Sequence, residues 1–361
     1  MTDLPQTDGV HARQIAFFAA FVLPLYKLVE TPSLLASFSK GDLLLPAFLQ
    51  YLLQASVLAL LVFALSRSEK SLAQRLQETL GKWSIIVYIA YATFFILYAI
   101  LPLLDLEKFV YAVFYDTSPT LFSFAAFFLF LGFACTKGLK AIGRAADLSL
   151  FLFLLPFALL LMMSLAEADA SNLLPFFEQK FSGSLKAVTY TSPHFSDVAL
   201  LLPLLMSLRY QKGDGKKIMT GYGVGAGCVL VFLCVFYGVY STIAPREHYA
   251  FAKIAQYFPA LSIVGRIDLL LVYMLCIVLF FSVATPLVYT VDLTSRCIGT
   301  QKKTLLSALV SLGAFLFVLF CNKYYNAFYA VIAGKLFPVF WIFSLLLPLL
   351  TLFLRRDRHV I

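Results

Sequence analysis

The stretch from Arg13 to Leu35, RQIAFFAAFVLPLYKLVETPSLL, begins as an apolar helix and cannot continue as one. Pro24 removes a backbone donor and crowds the carbonyl one turn earlier. Lys27, Glu30 and Pro32 follow within eight residues. A lysine and a glutamate in apolar surroundings are costly unless paired, and at this spacing they share one face of a helix. Backbone groups freed by such a break persist in a membrane only where they meet protein or a water-filled cavity. The stretch predicts a discontinuous first helix beside an internal site.

The remainder of the chain supplies the membrane setting. Of 361 residues, 61% are hydrophobic and 13% charged, against about 45–50% and 25% in soluble domains. Ten apolar runs can be marked, near 13–30, 42–65, 84–113, 119–136, 146–167, 188–208, 218–243, 262–290, 304–321 and 331–354. Each approaches the roughly 20 residues that a bilayer crossing needs. They predict an all-α integral membrane protein with ten transmembrane helices in a single domain, 1–361.

The net charge of +9 reads as topology. With an inside N-terminus and ten crossings, 18 Lys and Arg fall in inside segments and 6 in outside ones. That bias predicts both termini in the cytoplasm and leaves no basic patch for a nucleic-acid partner. Membrane lipid is the expected surrounding. The 6 cysteines lie in or beside helices without a CxxC, as buried thiols do, and the 4 histidines lack metal-ligand spacing. There is no Walker motif, Ser-His-Asp arrangement or supported carboxylate pair, so neither a cofactor nor catalysis is expected. The first ten residues lack the basic start of a cleavable signal.

The runs divide five and five, into repeats 13–167 and 188–354. An odd number per half makes the second enter from the opposite side, the arithmetic of an inverted repeat. The sixth run, KAVTYTSPHFSDVALLLPLLMSLRY at 186–210, matches the first in kind. Pro193 interrupts it, with Ser192 before and His194 and Asp197 after. Two readings stand. The polar residues form an unwound part of the sixth helix, whose freed N-terminus favours a carboxylate, or they form an outside loop with the helix starting at Asp197. Only 11 residues, 198–208, lie between Asp197 and Arg209, too few to cross about 30 Å, so a crossing must recruit 188–197.

Other polar residues lie within the runs. In the third, Asp105 and Lys108 are spaced to pair; in the eighth, Arg266 and Asp268 stand at the outer mouth. These four are candidate gate or vestibule residues, against a plain reading as local ion pairs. Tyr273 is a candidate for the path. The candidate ligand-binding set is Pro24, Lys27, Glu30, Ser192, Pro193, His194, Asp197 and Tyr273. In the seventh run Gly221 with Gly225, and Gly223 with Gly227, have the spacing of close helix packing. Leu72, Leu76 and Leu80 recur every four residues in the loop 66–83, and 244–261 alternates similarly. Both loops read as short helices that brace the bundle or lie on the membrane surface.

The stretch KGLKAIGRAADLSLFLFLLPFALLLMMSLAEADASNLLPFF, 137–177, resembles the spore germination permease family, the B subunit of nutrient germinant receptors of endospore-forming bacteria. Gly138, Ile142, Gly143, Arg144, Asp147, Pro156 and NLLP at 172–175 carry the likeness. Gln14, LGK at 80–82 and Ser118-Pro119 extend it, although the family more often has Thr-Pro there. The resemblance implies a LeuT-like five-plus-five fold of the amino acid–polyamine–organocation superfamily, with discontinuous helices 1 and 6. It implies a small nutrient ligand such as an amino acid. It also implies an A subunit and a lipoprotein C subunit as partners, in the bacterial cell membrane or spore inner membrane. Gly143 and Arg144 would lie in the inside loop between helices 4 and 5. Lys27 and Glu30 depart from the family, which is commonly less charged there. A proton- or sodium-coupled amino acid transporter, and an ion or water channel acting in germination, are the alternative functions.

Overall fold

The computed structural model describes residues 10–68, 70–114, 120–173, 181–247, 250, 268–299 and 303–353, and within these it leaves aside the side chains of 106–125, 149–152, 268–276 and 322. Among the described residues the chain is helical and has no strand. The helices are α1 (Ala12–Leu25), α2 (Thr31–Ser39), α3 (Leu44–Ser66), α4 (Leu72–Leu80), α5 (Ser84–Phe114), α6 (Thr120–Leu165) and α7 (Phe181–Thr191). They continue with α8 (Asp197–Ser207), α9 (Asp214–Tyr240), α10 (Asp268–Ile298), α11 (Lys303–Cys321), α12 (Tyr325–Gly334) and α13 (Phe337–Phe353).

Among the described residues, six helical stretches are long and apolar enough to cross a membrane: Thr31–Ser66, Leu72–Asp105, Ala126–Leu148, Asp214–Arg246, Ile277–Ile298 and Lys303–Cys321. Counting α12 and α13 as one span bent by 54° makes seven. The other expected crossings correspond to shorter apolar helices, Ala12–Leu25, Phe153–Leu165 and Asp197–Ser207. The first and last are short because the chain unwinds beside them. Tyr26–Glu30 separates α1 from α2, and Ser192–Ser196 separates α7 from α8.

Proline sets the first break. In α1 a π-helical turn at Phe18–Val22 precedes Pro24, and in α13 a π-helical turn at Ile342–Leu346 precedes Pro348. Both turns end two residues before the proline, where widening moves the crowded carbonyls off the ring. The freed groups after Pro24 find partners: the Val29 carbonyl accepts from the Ala250 amide at 2.9 Å.

The expected loop between the fourth and fifth runs is reduced to one residue. Helix continues through Thr120–Leu165 except at Gly138, whose φ of 68° and ψ of −167° belong to a region reserved for glycine. Gly143 and Arg144 are therefore helical rather than in a loop. An ideal Cβ on Gly143 would lie 3.0 Å from Gln14 Oε1, so two residues of the family likeness pack on each other.

Packing around the breaks is close. A Cβ at Gly221 or Gly225 would collide with the carbonyl oxygens of Ala16 or Ala19, so this pair lets α9 lie against α1 backbone to backbone. Gly223 and Gly227 face open space instead. The loop at 66–83 contains α4, capped by Ser71 and Gln74; Leu72 and Leu76 are buried and Leu80 is exposed. Arg75 donates to the Ala64 carbonyl at 3.0 Å, which ties α4 to the end of α3 as a brace. The expected helix over 244–261 lies mostly outside the described residues.

Candidate functional site

The two breaks face each other, and α2 packs along α7 through a stacked Phe38–Tyr190 pair, centroids 4.7 Å apart. Two polar groupings form there, one closed and one open.

The closed one joins the breaks directly. Lys27 Nζ lies 2.5 Å from Asp197 Oδ1, with the lysine side chain 0% and the aspartate 1% exposed. Asp197 Oδ2 accepts from the Tyr222 hydroxyl of α9 at 2.9 Å. The ammonium also donates to the Leu23 carbonyl at 3.3 Å and stands 5.3 Å and 5.6 Å from the rings of Phe195 and Tyr51. Carboxylate, carbonyl and aromatic faces together compensate a cation that water cannot reach.

Helix α3 completes this grouping. Gln50 Nε2 donates to Thr191 Oγ1 at 2.7 Å, and Gln54 Oε1 accepts from the Val198 amide at 3.1 Å. The amides of Ser192, His194 and Phe195 bond to carbonyls within the turn. The start of α8 was expected to offer free donors to a ligand carboxylate. The protein itself uses one of them, the Val198 amide, together with the turn amides before it.

The open grouping lies on the other side of the α1 break. A pocket of about 50 Å³ is lined by Leu25 at the end of α1 and by Tyr26, Val29 and Glu30 of that break. Tyr98, Leu101, Pro102 and Asp105 of α5, Pro193 and His194 of the second break, and Val278, Leu279 and Ser282 of α10 add to it. Ile332 of α12 and Phe340 of α13 complete the wall. The Tyr325 hydroxyl donates to Asp105 Oδ1 at 2.7 Å and stands 3.4 Å from Glu30 Oε1. His194 Nε2 is sealed from solvent and has no hydrogen-bond partner among the described residues.

The candidate residues therefore divide. Glu30, Pro193, His194 and Asp105 line the pocket; Lys27 and Asp197 form the closed pair; Pro24 and Ser192 support the breaks without lining it. Lys27 pairs with Asp197 rather than Glu30, and His194 does not pair with Asp197. Asp105 is bonded by Tyr325; the side chain of Lys108 lies outside the described residues. So do Arg266 and the side chains of Asp268 and Tyr273. Sequence reading missed Gln50, Tyr51, Gln54, Tyr222 and Tyr325. Gln50 and Gln54, one turn apart inside the apolar α3, carried a signal; the tyrosines, among 19, did not.

A helical bundle with apolar spans long enough to cross a membrane, and two unwound segments beside one pocket, defines the class: an integral membrane protein. The family model described as spore germination protein matches residues 47–326, and the chain belongs to that family. It is accordingly a germinant-receptor-related membrane protein. Comparison with curated proteins finds no matching relative.

Proposed function

We propose that this chain is the membrane subunit of a spore germinant receptor, in which a small nutrient, an amino acid or a near relative, occupies the pocket between the two breaks. One observation carries the reading: residues from both unwound segments, Glu30 on one side and Pro193 and His194 on the other, line a single pocket. A solute seated there touches both segments at once and favours one arrangement of the bundle over another. Partner subunits, an A subunit and a lipoprotein C subunit, then read that arrangement. The ten-crossing, five-plus-five plan with cytoplasmic termini accords with breaks at corresponding places in the two halves. The Lys27 ammonium already sits on Asp197 between the breaks, so ligand binding should require neither sodium nor a proton gradient.

The test is binding and flux on the same preparation. The full-length chain in proteoliposomes is expected to bind a small nutrient saturably and to accumulate none of it. Accumulation against a gradient would assign the chain to coupled transport. Ion or water conductance without ligand would assign it to a channel.

A further inference from the structure

Resting on the ligand site proposed above, we infer that His194 is its specificity-determining residue: the imidazole makes the directional hydrogen bond that selects the ligand, a compact aliphatic solute with a hydrogen-bonding head. The second break positions that ring. Its other side chains turn inward: Phe195 and Asp197 meet Lys27, and the Ser196 hydroxyl donates to the Ser192 carbonyl at 3.1 Å. Each residue from Thr191 to Val198 is buried except His194, which is half-buried and lines the pocket. The His194 amide is fixed to the Thr191 carbonyl at 3.0 Å, so the side chain leaves from a held backbone.

Commitment within the protein separates His194 from the other polar groups of the wall. The Tyr26 hydroxyl donates to the Phe281 carbonyl at 3.1 Å, and the Ser282 hydroxyl to the Leu279 carbonyl at 2.8 Å. Asp105 and Glu30 stand 2.7 Å and 3.4 Å from the Tyr325 hydroxyl. The Tyr98 ring packs against those of Tyr26 and Phe340, centroids 6.4 Å and 6.3 Å away. His194 Nε2, by contrast, is sealed from solvent and has no hydrogen-bond partner among the described residues. A sealed polar atom without a partner is a standing cost to the fold, and a solute seated in the pocket is in place to relieve it.

The rest of the wall shapes the rest of the ligand. Leu25, Val29, Leu101, Val278, Leu279 and Ile332 present aliphatic surface, which rewards buried hydrocarbon and gives it no direction. Direction then comes from the imidazole. A neutral imidazole carries one N–H and one bare nitrogen, so a carboxylate head accepts from the first and an ammonium head donates to the second. The 50 Å³ of the pocket corresponds to several water positions, since one water needs roughly 10–15 Å³. That favours a compact solute.

The experiment titrates the purified full-length chain with L-alanine by calorimetry and, if L-alanine does not bind, with the other common amino acids in turn. His194→Leu, without a hydrogen-bonding side chain, is expected to weaken binding about 10-fold or more, the size of one hydrogen bond to a charged group. His194→Gln keeps a donor and an acceptor and is expected to recover most of that loss. Of propionate and ethylammonium, the one that His194→Leu weakens carries the head that the ring holds; if both bind and neither is weakened, the inference is overturned. In the unaltered chain, labelled at its histidine ring nitrogens, the bound probe is expected to move the magnetic resonances of His194, a readout that stands if a variant fails to fold. Unmoved resonances at saturation would overturn the inference and leave the pocket as a ligand site. So would unchanged affinity in His194→Leu, or His194→Gln as weak as His194→Leu. If no amino acid binds the unaltered chain, the proposed function falls and the inference with it.

Discussion

Lys27 and Glu30 stand three residues apart in the same unwound segment, yet their surroundings are opposite. Lys27 is closed off: its ammonium has a carboxylate, a carbonyl and two aromatic rings, and its side chain is 0% exposed. Glu30 lines a pocket with room for water, beside a histidine nitrogen with no partner among the described residues. Charge in the first cluster is matched within the protein. The second retains a polar requirement that a ligand can meet. A buried ionisable residue in a membrane helix is thus not automatically a contact for solute; what distinguishes the two is whether the side chain is sealed within the protein or lines open space.

Removing one half of the closed pair tests this contrast most severely. Lys27→Met leaves Asp197 as an uncompensated buried charge and is expected to cost about 3–5 kcal/mol, read as a large fall in thermal midpoint in detergent. Lys27→Met combined with Asp197→Leu should recover most of that loss. If the double variant is as unstable as the single, the pair is not a self-contained unit.

Next in size, Tyr222→Phe deletes the second bond to Asp197 and should cost about 1.5–3 kcal/mol, as bonds to charged groups do. Binding of L-alanine should stay within about threefold of the unaltered chain, under 1 kcal/mol. A large loss of affinity without loss of stability would erase the boundary between the clusters.

On the open side the pattern reverses. Tyr325→Phe removes a half-buried bond to the Asp105 carboxylate and is expected to cost about 1.5 kcal/mol, the low end for bonds to charged groups, while altering affinity by calorimetry. The smallest effect has the opposite sign. His194→Leu replaces a polar atom that lacks a partner and should raise the thermal midpoint slightly while weakening binding, the usual exchange at a functional site. A fall in stability there would mean that the imidazole serves the fold.

Much of the architecture was legible in the sequence. The apolar runs located the long helices, and Pro24 and Pro193 with their polar neighbours located both breaks. The spacing of Gly221 and Gly225 announced a close helix contact but not its partner, and the same spacing at Gly223 and Gly227 leads to open space. Partners were not legible. Lys27 and Asp197 are 170 positions apart, and Tyr325 is 220 from Asp105 and 295 from Glu30. Helical spacing placed Lys27 beside Glu30, but that rule holds only while the helix continues, and between Tyr26 and Glu30 it does not. The two residues consequently leave the chain in different directions. Gly138 shows the converse: a single residue with positive φ redirects the chain where a loop was expected.

The far ends of α8 and α10 carry a consequence of their own. Asp292 holds Arg296 and Lys303, each at 2.8 Å, and Arg296 reaches Ser207 at 3.3 Å. Ser282 of the pocket is ten residues from Asp292, about 15 Å along the helix. A molecule travelling out past that clasp would have to part several charged contacts together, and the barrier would be set by their joint rupture. Any motion that separates these helix ends has to break the whole clasp at once.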